Sequence, residues 1–385
     1  VRSHIYLDYN ATQPVKPAVR DAMLEVLGLP ANASSIHRPG QHARRIVERA
    51  RADVAALLNA KQSEILFTSG ATEANATAVS GIAAGTILMS AIEHPSVREA
   101  VPGCVTIPVD GDGVIDLAAL DRLLAASKAP ALVSIMLVNN ETGVIQPVAE
   151  AARIIHAHGG LLHSDAAQAP GRIPLDVQAL NADLMTISGH KMGGPQGAGA
   201  LYIKDGIDLA PLLKGGGQEG RRRAGTENVA AIAGFGTAAR LAGGDADLSP
   251  LRTDMERRLS EIAPDLAVHG VKAARVGNTS CFGAPGLDAE TALIALDLAG
   301  IAVSTGAACS SGAVEPSRVL LAMGVPNGAA REAIRVSLGW ATQPSDIDRL
   351  VESWAMVYRR SQAVIKGDVA MIKGAVAMYT QELPA

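Results

Sequence analysis

An α/β fold with a mainly parallel sheet covered by helices, joined to a smaller α+β domain, is the architecture that this 385-residue chain predicts. Three observations predict it. Short apolar runs alternate with helical patterns from about residue 64 to residue 240, the pattern breaks at Ala242-Gly243-Gly244-Asp245, and a second set of strand and helix signals follows. In open sheets of this kind ligands bind at the carboxyl ends of the strands, so functional residues belong just after each apolar run.

The strand candidates are Ile65-Leu66-Phe67, Ile87-Leu88-Met89, Leu132 to Val138, Leu161-Leu162 and Leu184 to Ile187. Helical patterns lie between them, near 72–84, 95–101, 116–126 and 147–158. Beyond the break, Leu251 to Ile262 reads as a charged amphipathic helix, with further strand and helix signals near 276–282, 289–298, 333–338 and 345–360. The expected division is a large domain over 14–245 and a small domain made of 1–13 and 246–385.

A hydrophobic content of 48% supplies ample core, and a net charge of −4 from 34 basic and 38 acidic residues gives no reason to expect nucleic acid or an anionic membrane as partner. No apolar run reaches the roughly 18 to 20 residues that span a bilayer. The first residues carry no apolar signal core, which favours a cytoplasmic location. Three cysteines, Cys104, Cys281 and Cys309, are too few and too scattered for a disulfide framework or a four-ligand zinc site. Free thiols in a reducing compartment are the expectation.

The apolar run Leu184 to Ile187 closes on Ser188-Gly189-His190-Lys191, followed by the glycine-rich Gly193-Gly194-Pro195-Gln196-Gly197. A lysine at the end of a buried strand, among small residues, is placed to be desolvated and to act as an amine. Leu161-Leu162 likewise leads into His163-Ser164-Asp165, so a second strand ends on a carboxylate. Pyridoxal phosphate needs both groups, an amine to link to its aldehyde and a carboxylate to keep its pyridine nitrogen protonated. Phe67 to Asn75 reads as strand, glycine turn and helix start, with Thr72 near the cap, and the first N–H groups of such a helix cradle phosphate. Taken alone, that segment is equally an ordinary capped helix.

Other candidates follow from side-chain chemistry. His94, in Ile92-Glu93-His94-Pro95, has an imidazole that can stack on a pyridine ring and move protons. Arg335 offers a guanidinium fork for a carboxylate. Cys309 lies in Ser304-Thr305-Gly306-Ala307-Ala308-Cys309-Ser310-Ser311-Gly312, a run of small residues with nothing bulky to bury it, whereas Cys104 and Cys281 lie in or beside apolar segments. An exposed thiol in that run is a candidate nucleophile.

The order of motifs resembles that of the cysteine desulfurases, the NifS/IscS-like branch of the class-V aminotransferases in the aspartate-aminotransferase fold family. The motifs are Tyr6 to Thr12, Thr68 to Asn75, Glu93-His94, Val138 to Gly143, Asp165 to Gln168, Ser188 to Lys191, Gly215 to Glu219, Arg223-Ala224-Gly225-Thr226, Cys309 and Arg335 to Gly339. Each is weak alone, and ten in one order are strong. The resemblance implies a large domain whose mainly parallel sheet has seven strands. It implies pyridoxal 5′-phosphate on Lys191, Asp165 at the pyridinium nitrogen, Gln168 at the phenolate oxygen and His94 stacked on the ring. Ala71, Thr72, Ser188 and His190 hold the phosphate, joined by Thr226 from the second subunit of a homodimer. Asn140 contacts cofactor and substrate, and with Arg335 takes the substrate carboxylate. His37 resembles part of a loop near the mouth of the site.

The implied activity is removal of sulfur from L-cysteine, giving L-alanine and a persulfide on Cys309 that passes to an iron–sulfur scaffold or another sulfur-acceptor protein, in a housekeeping or a nitrogenase-related role. No metal is implied in the resting enzyme, although Cys309 can serve as a ligand to a transferred iron–sulfur cluster. Which proton His94 moves is open in the sequence. The alternatives are a selenocysteine lyase or an aminotransferase on the same fold, neither of which depends on Cys309 in the same way. Local departures from the family pattern are Gln13, Ala33 and Ala224, and none removes a catalytic group.

Overall fold

The computed structural model describes residues 4–30, 32–128, 130–305 and 315–365. It divides into two compact units, one of Asn10–Asn140 with Val144–Ala246, and a smaller one of the chain up to Tyr9, Glu141–Gly143 and the chain from Asp247 onward. The three residues Glu141–Gly143 thus join the smaller unit from within a stretch that otherwise belongs to the larger.

After β1 (Ile5–Tyr6), which belongs to the smaller unit, the larger unit begins with α1 (Pro17–Leu27) and α2 (Arg38–Leu58). Pro39 in the first turn and His37, whose ring accepts the Gly40 N–H, start α2; Asn59 at φ 53° ends it in the left-handed conformation that asparagine tolerates. Its buried stripe, Ala43, Val47, Ala50, Val54 and Leu58, recurs every third or fourth residue.

The central sheet is built from β2 (Ile65–Thr68), β3 (Thr86–Ser90), β4 (Val105–Ile107), β5 (Ala131–Ser134), β6 (Leu161–Asp165), β7 (Leu184–Ser188) and β8 (Gly199–Ile203). Between and after them run α3 (Ala71–Gly81), α4 (Pro95–Arg98), α5 (Leu117–Ala125), α6 (Val148–Ala157), α7 (Val177–Leu180) and α8 (Val229–Leu241). The strand order is β2-β8-β7-β6-β5-β3-β4, parallel except for β8, which runs antiparallel to both neighbours. This is the mainly parallel seven-stranded sheet expected. Strands β2, β5, β7 and β8 are buried at every residue, which is why their sequences read as runs rather than alternations. One expected strand is shorter than its apolar run: β5 stops at Ser134, and the chain beyond it forms an isolated bridge, Val138 to Ile145.

The smaller unit continues with α9 (Ser249–Ile262), β9 (Ala267–Val268), β10 (Thr279–Gly283), α10 (Ala289–Leu298), β11 (Ile301–Ala302), β12 (Ser304–Thr305), α11 (Arg318–Ala322), α12 (Asn327–Arg331), β13 (Ala333–Ser337) and α13 (Pro344–Ile365). Its antiparallel sheet has the order β12-β13-β10-β9, while β1 pairs in parallel with β11. Phe282, Leu296, Val336 and Leu350 pack around Trp354, whose ring meets Phe282 edge-on at 6.1 Å and stacks on Tyr358 at 5.1 Å. Among the described residues no helix is long and apolar enough to cross a membrane.

Candidate active site

Parallel pairing of β6 with β7 sets the two central groups at one end of the sheet. Asp165 closes β6 opposite Thr186, and β7 ends two residues later at Ser188, from which a single turn, Gly189–Lys191, carries the lysine. The Asp165 carboxylate accepts two N–H donors, the Ala167 backbone on Oδ1 at 2.9 Å and the Asn75 amide on Oδ2 at 2.7 Å. Lys191 Nζ donates to the backbone carbonyls of Asn10 and, at 2.9 Å, Ala11. His94, on the turn into α4, feels both charges. Crowding by protein lowers its pKa, Asp165 opposes this, and Lys191 and Arg98 add to it.

Strand β2 turns into α3 at Gly70, whose φ of 157° is open to glycine. A Cβ on Gly199, in the adjacent β8, would lie 2.7 Å from the Gly70 backbone, so the two glycines allow an approach that no other residue permits. The first intrahelical bond of α3 runs from the Ala74 N–H to the Gly70 carbonyl, which leaves the N–H groups of Ala71, Thr72 and Glu73 ahead of it at the positive end of the helix. Ser188 Oγ is buried with no hydrogen-bond partner. His190 Nδ1 lies 3.2 Å from Thr12 Oγ1, and its pKa is pushed down to about 4 by burial first and by Lys191 second. Glu73 receives the Ser69 N–H at 2.8 Å and pairs with Arg223 at 2.9 Å; burial works against its charge, but these donors bring its pKa below the ordinary value. Arg223 is therefore tied to Glu73, and it leads into Thr226, which is exposed.

Gln168 Nε2 donates to the Asn10 carbonyl at 2.9 Å, and its Oε1 accepts from Arg172. The Asn140 carbonyl accepts from Asn10 Nδ2 at 3.1 Å. In the smaller unit, Arg335 on β13 is buried and pairs with Asp8 at 2.6 Å. Nearby Glu141 has its pKa raised to about 7 by burial, against a hydrogen bond from Ser317 and the Arg335 charge. Cys281 on β10 is buried, and burial together with Glu141 drives its thiol pKa far up; Cys104 is half-buried and also raised by burial. His37 caps α2. Cys309 lies outside the described residues.

A protein-family model described as aminotransferase class-V matches residues 5–350. A cysteine desulfurase from Cereibacter sphaeroides is 43% identical over 365 residues, 90% of this chain and 94% of that protein. The cysteine desulfurase IscS of Dictyoglomus turgidum is 40% identical over 90% of this chain and 93% of its own length. The solved structure of a NifS-like protein from Rickettsia africae superposes with a TM-score of 0.87 at 37% identity, covering 92% of this chain and 99% of that one. The chain belongs to the class-V aminotransferases.

The cofactor of the class-V aminotransferases is pyridoxal 5′-phosphate, and the residues present fit it. The buried, unpartnered Ser188 hydroxyl and the leading N–H groups of α3 suit a phosphate, and the Asp165 carboxylate, which accepts two N–H donors, suits a pyridinium. Some residues of this class-V aminotransferase near Asp165 were given no role by sequence reasoning, although Asn75 and Glu93 stand within its motifs. Asn75 and Ser96 link Asp165 to His94, while Glu93 and His163 are buried and feel the Asp165 charge. Burial pushes His163 down to about 4, against the pull of Asp165. Asn75 stands one helical turn after Ala71, which was the only available signal, since polar residues inside a helix face usually point to solvent.

Proposed function

We propose that this class-V aminotransferase is a cysteine desulfurase, converting L-cysteine and the Cys309 thiol into L-alanine and a Cys309 persulfide. The observation that carries the reading is that Asp165 closes β6 and Lys191 follows the end of the adjacent parallel β7, with both charges acting on His94. The likeness to cysteine desulfurases across nine-tenths of the chain supports the choice of substrate.

Bound at this end of the sheet, pyridoxal phosphate supplies an electron sink for bonds at the substrate α-carbon. Lys191 would carry the cofactor and is the base for a substrate proton. Asp165 would meet the ring nitrogen, Gln168 the ring oxygen and His94 the ring face. Ala71, Thr72, Ser188 and His190 hold the phosphate, with Thr226 of a second copy in a homodimer. Asn140 and Arg335 take the substrate carboxylate, the guanidinium as a fork. The Cys309 thiolate attacks the substrate sulfur: the S–S bond forms as the C–S bond breaks, the electron pair stays with carbon, and that carbon gains a proton. Sulfur is oxidised and carbon reduced, so no outside redox partner is needed. The persulfide then passes to an acceptor protein, for which iron–sulfur scaffolds in the cytoplasm are the proposed class.

The test is release of sulfide and alanine from L-cysteine by the cofactor-loaded protein and by its Cys309→Ala variant. The expected outcome is equal alanine and sulfide in the presence of a thiol reductant, with loss of at least ~100-fold in the variant, since only a thiolate attacks the sulfur. Turnover that survives the substitution assigns the chain instead to a selenocysteine lyase or an aminotransferase.

A further inference from the structure

Asp165 and His94 are joined by a chain of hydrogen bonds whose direction can be worked out atom by atom. Asn75 is fully buried in α3, and its amide nitrogen lies 2.7 Å from Asp165 Oδ2 and 2.9 Å from Ser96 Oγ. Turning the amide over would set its oxygen against the Asp165 carboxylate, so the nitrogen faces that way and spends both hydrogens. Asn75 Oδ1 is left buried without a partner, a cost of about 1–3 kcal/mol that the orientation accepts. Ser96 Oγ, having accepted one hydrogen from Asn75, keeps its own, and its next neighbour is His94 Nδ1 at 2.8 Å. The Ser96 backbone N–H also points at Nδ1, at 3.2 Å, because His94 caps the N-terminus of α4.

A nitrogen that accepts an N–H cannot carry a hydrogen of its own. Nδ1 is therefore an acceptor, Ser96 donates to it, and the proton of the neutral ring sits on Nε2. We propose that Asn75 and Ser96 are positioning residues that fix His94 as the Nε2–H tautomer, so that His94 presents a hydrogen-bond donor at Nε2 to the reacting groups. The inference rests on the desulfurase reading only for what that donor meets. The carbon that loses sulfur must gain a proton, the one that the Cys309 thiol gives up on ionising balances it, and the neutral His94 ring keeps its own. A neutral resting ring agrees with the lowered pKa of His94, on which Asp165, Lys191, Arg98 and Glu99 act.

The experiment uses the cofactor-loaded full chain labelled with nitrogen-15 at histidine, its His94 signals assigned by their loss in His94→Asn. Two-bond proton–nitrogen correlations in the absence of substrate should show a protonated Nε2 and a hydrogen-bonded, unprotonated Nδ1. Ser96→Ala should move the Nδ1 signal towards that of an unbonded imine nitrogen and raise the ring pKa by roughly 0.5 unit, because a donor to the neutral form has been removed. Ser96→Thr should restore both. The substitution leaves Asp165, Lys191, Arg98 and Glu99 in place. Asn75→Ala should act on Nδ1 as Ser96→Ala does; if that chain does not fold, the serine variants decide alone. A proton on Nδ1 in the parent protein, or a Ser96→Ala spectrum identical to it, overturns the proposal. The signals are read without turnover, so they report on the tautomer even if no sulfide is ever formed.

Discussion

Glu93 and Asp165 are two buried carboxyl groups with opposite roles. Asp165 takes two N–H donors, whereas Glu93 Oε1 takes the Met136 N–H at 2.5 Å. Burial first, and the neighbouring Asp165 charge second, raise the Glu93 pKa to about 8, so at neutral pH it is a carboxylic acid. An acid whose folded pKa lies above its unfolded value, near ~4.3, contributes stability that is complete below the unfolded value. That stability is lost as the pH rises towards about 8. Glu93→Gln, a neutral near-isostere, removes the dependence. Urea unfolding at fixed cofactor concentration should show the variant gaining on the parent between pH 5 and pH 8, by on the order of 2–4 kcal/mol, with no further gain above. Parallel stability curves would contradict the assignment. At this scale the sequence marked Lys191, Asp165 and His94, because charged groups closing apolar runs stand out. It did not mark Asn75, Ser96, Glu93 or His163 as partners, because their roles arise from contacts between segments far apart in the chain.

At the scale of elements, strands β6 and β7 were legible as runs ending on chemistry, and helices α3, α5 and α6 fell within a few residues of their expected bounds. Strand β8 was not expected, since Gly199-Ala200-Leu201-Tyr202-Ile203 follows a glycine-rich stretch that reads as loop. Helices α1 and α2 precede the region where alternation is visible, and the buried face of α2 is mostly alanine and valine, a faint stripe beside its many arginines. Strand β8 nonetheless sets the geometry of the turn into α3, the proposed phosphate site, through the close approach of Gly199 to Gly70. Gly199→Ala forces a methyl group into backbone that cannot rotate away, which should cost about 1–3 kcal/mol and displace the first turn of α3. Urea midpoints and cofactor retention on dialysis should fall together. An alanine variant that keeps its cofactor as the parent does would show that this turn is not what holds the phosphate.

For the whole molecule, composition and strand alternation were enough to expect an α/β sheet with a second unit, and the class-V aminotransferase match runs over residues 5–350. The passage of Glu141–Gly143 into the smaller unit was not visible, because nothing in a local pattern tells which of two cores a three-residue segment will join. Lys191, Asp165 and His94 belong to the larger unit and Arg335 to the smaller. On the proposed reading the reaction turns on Cys309. Mass spectrometry of the peptide carrying Cys309, after the cofactor-loaded protein has met L-cysteine without reductant or acceptor, tests this most directly. The account predicts one added sulfur on Cys309 and one alanine formed per site. Alanine formed with Cys309 unmodified would contradict it.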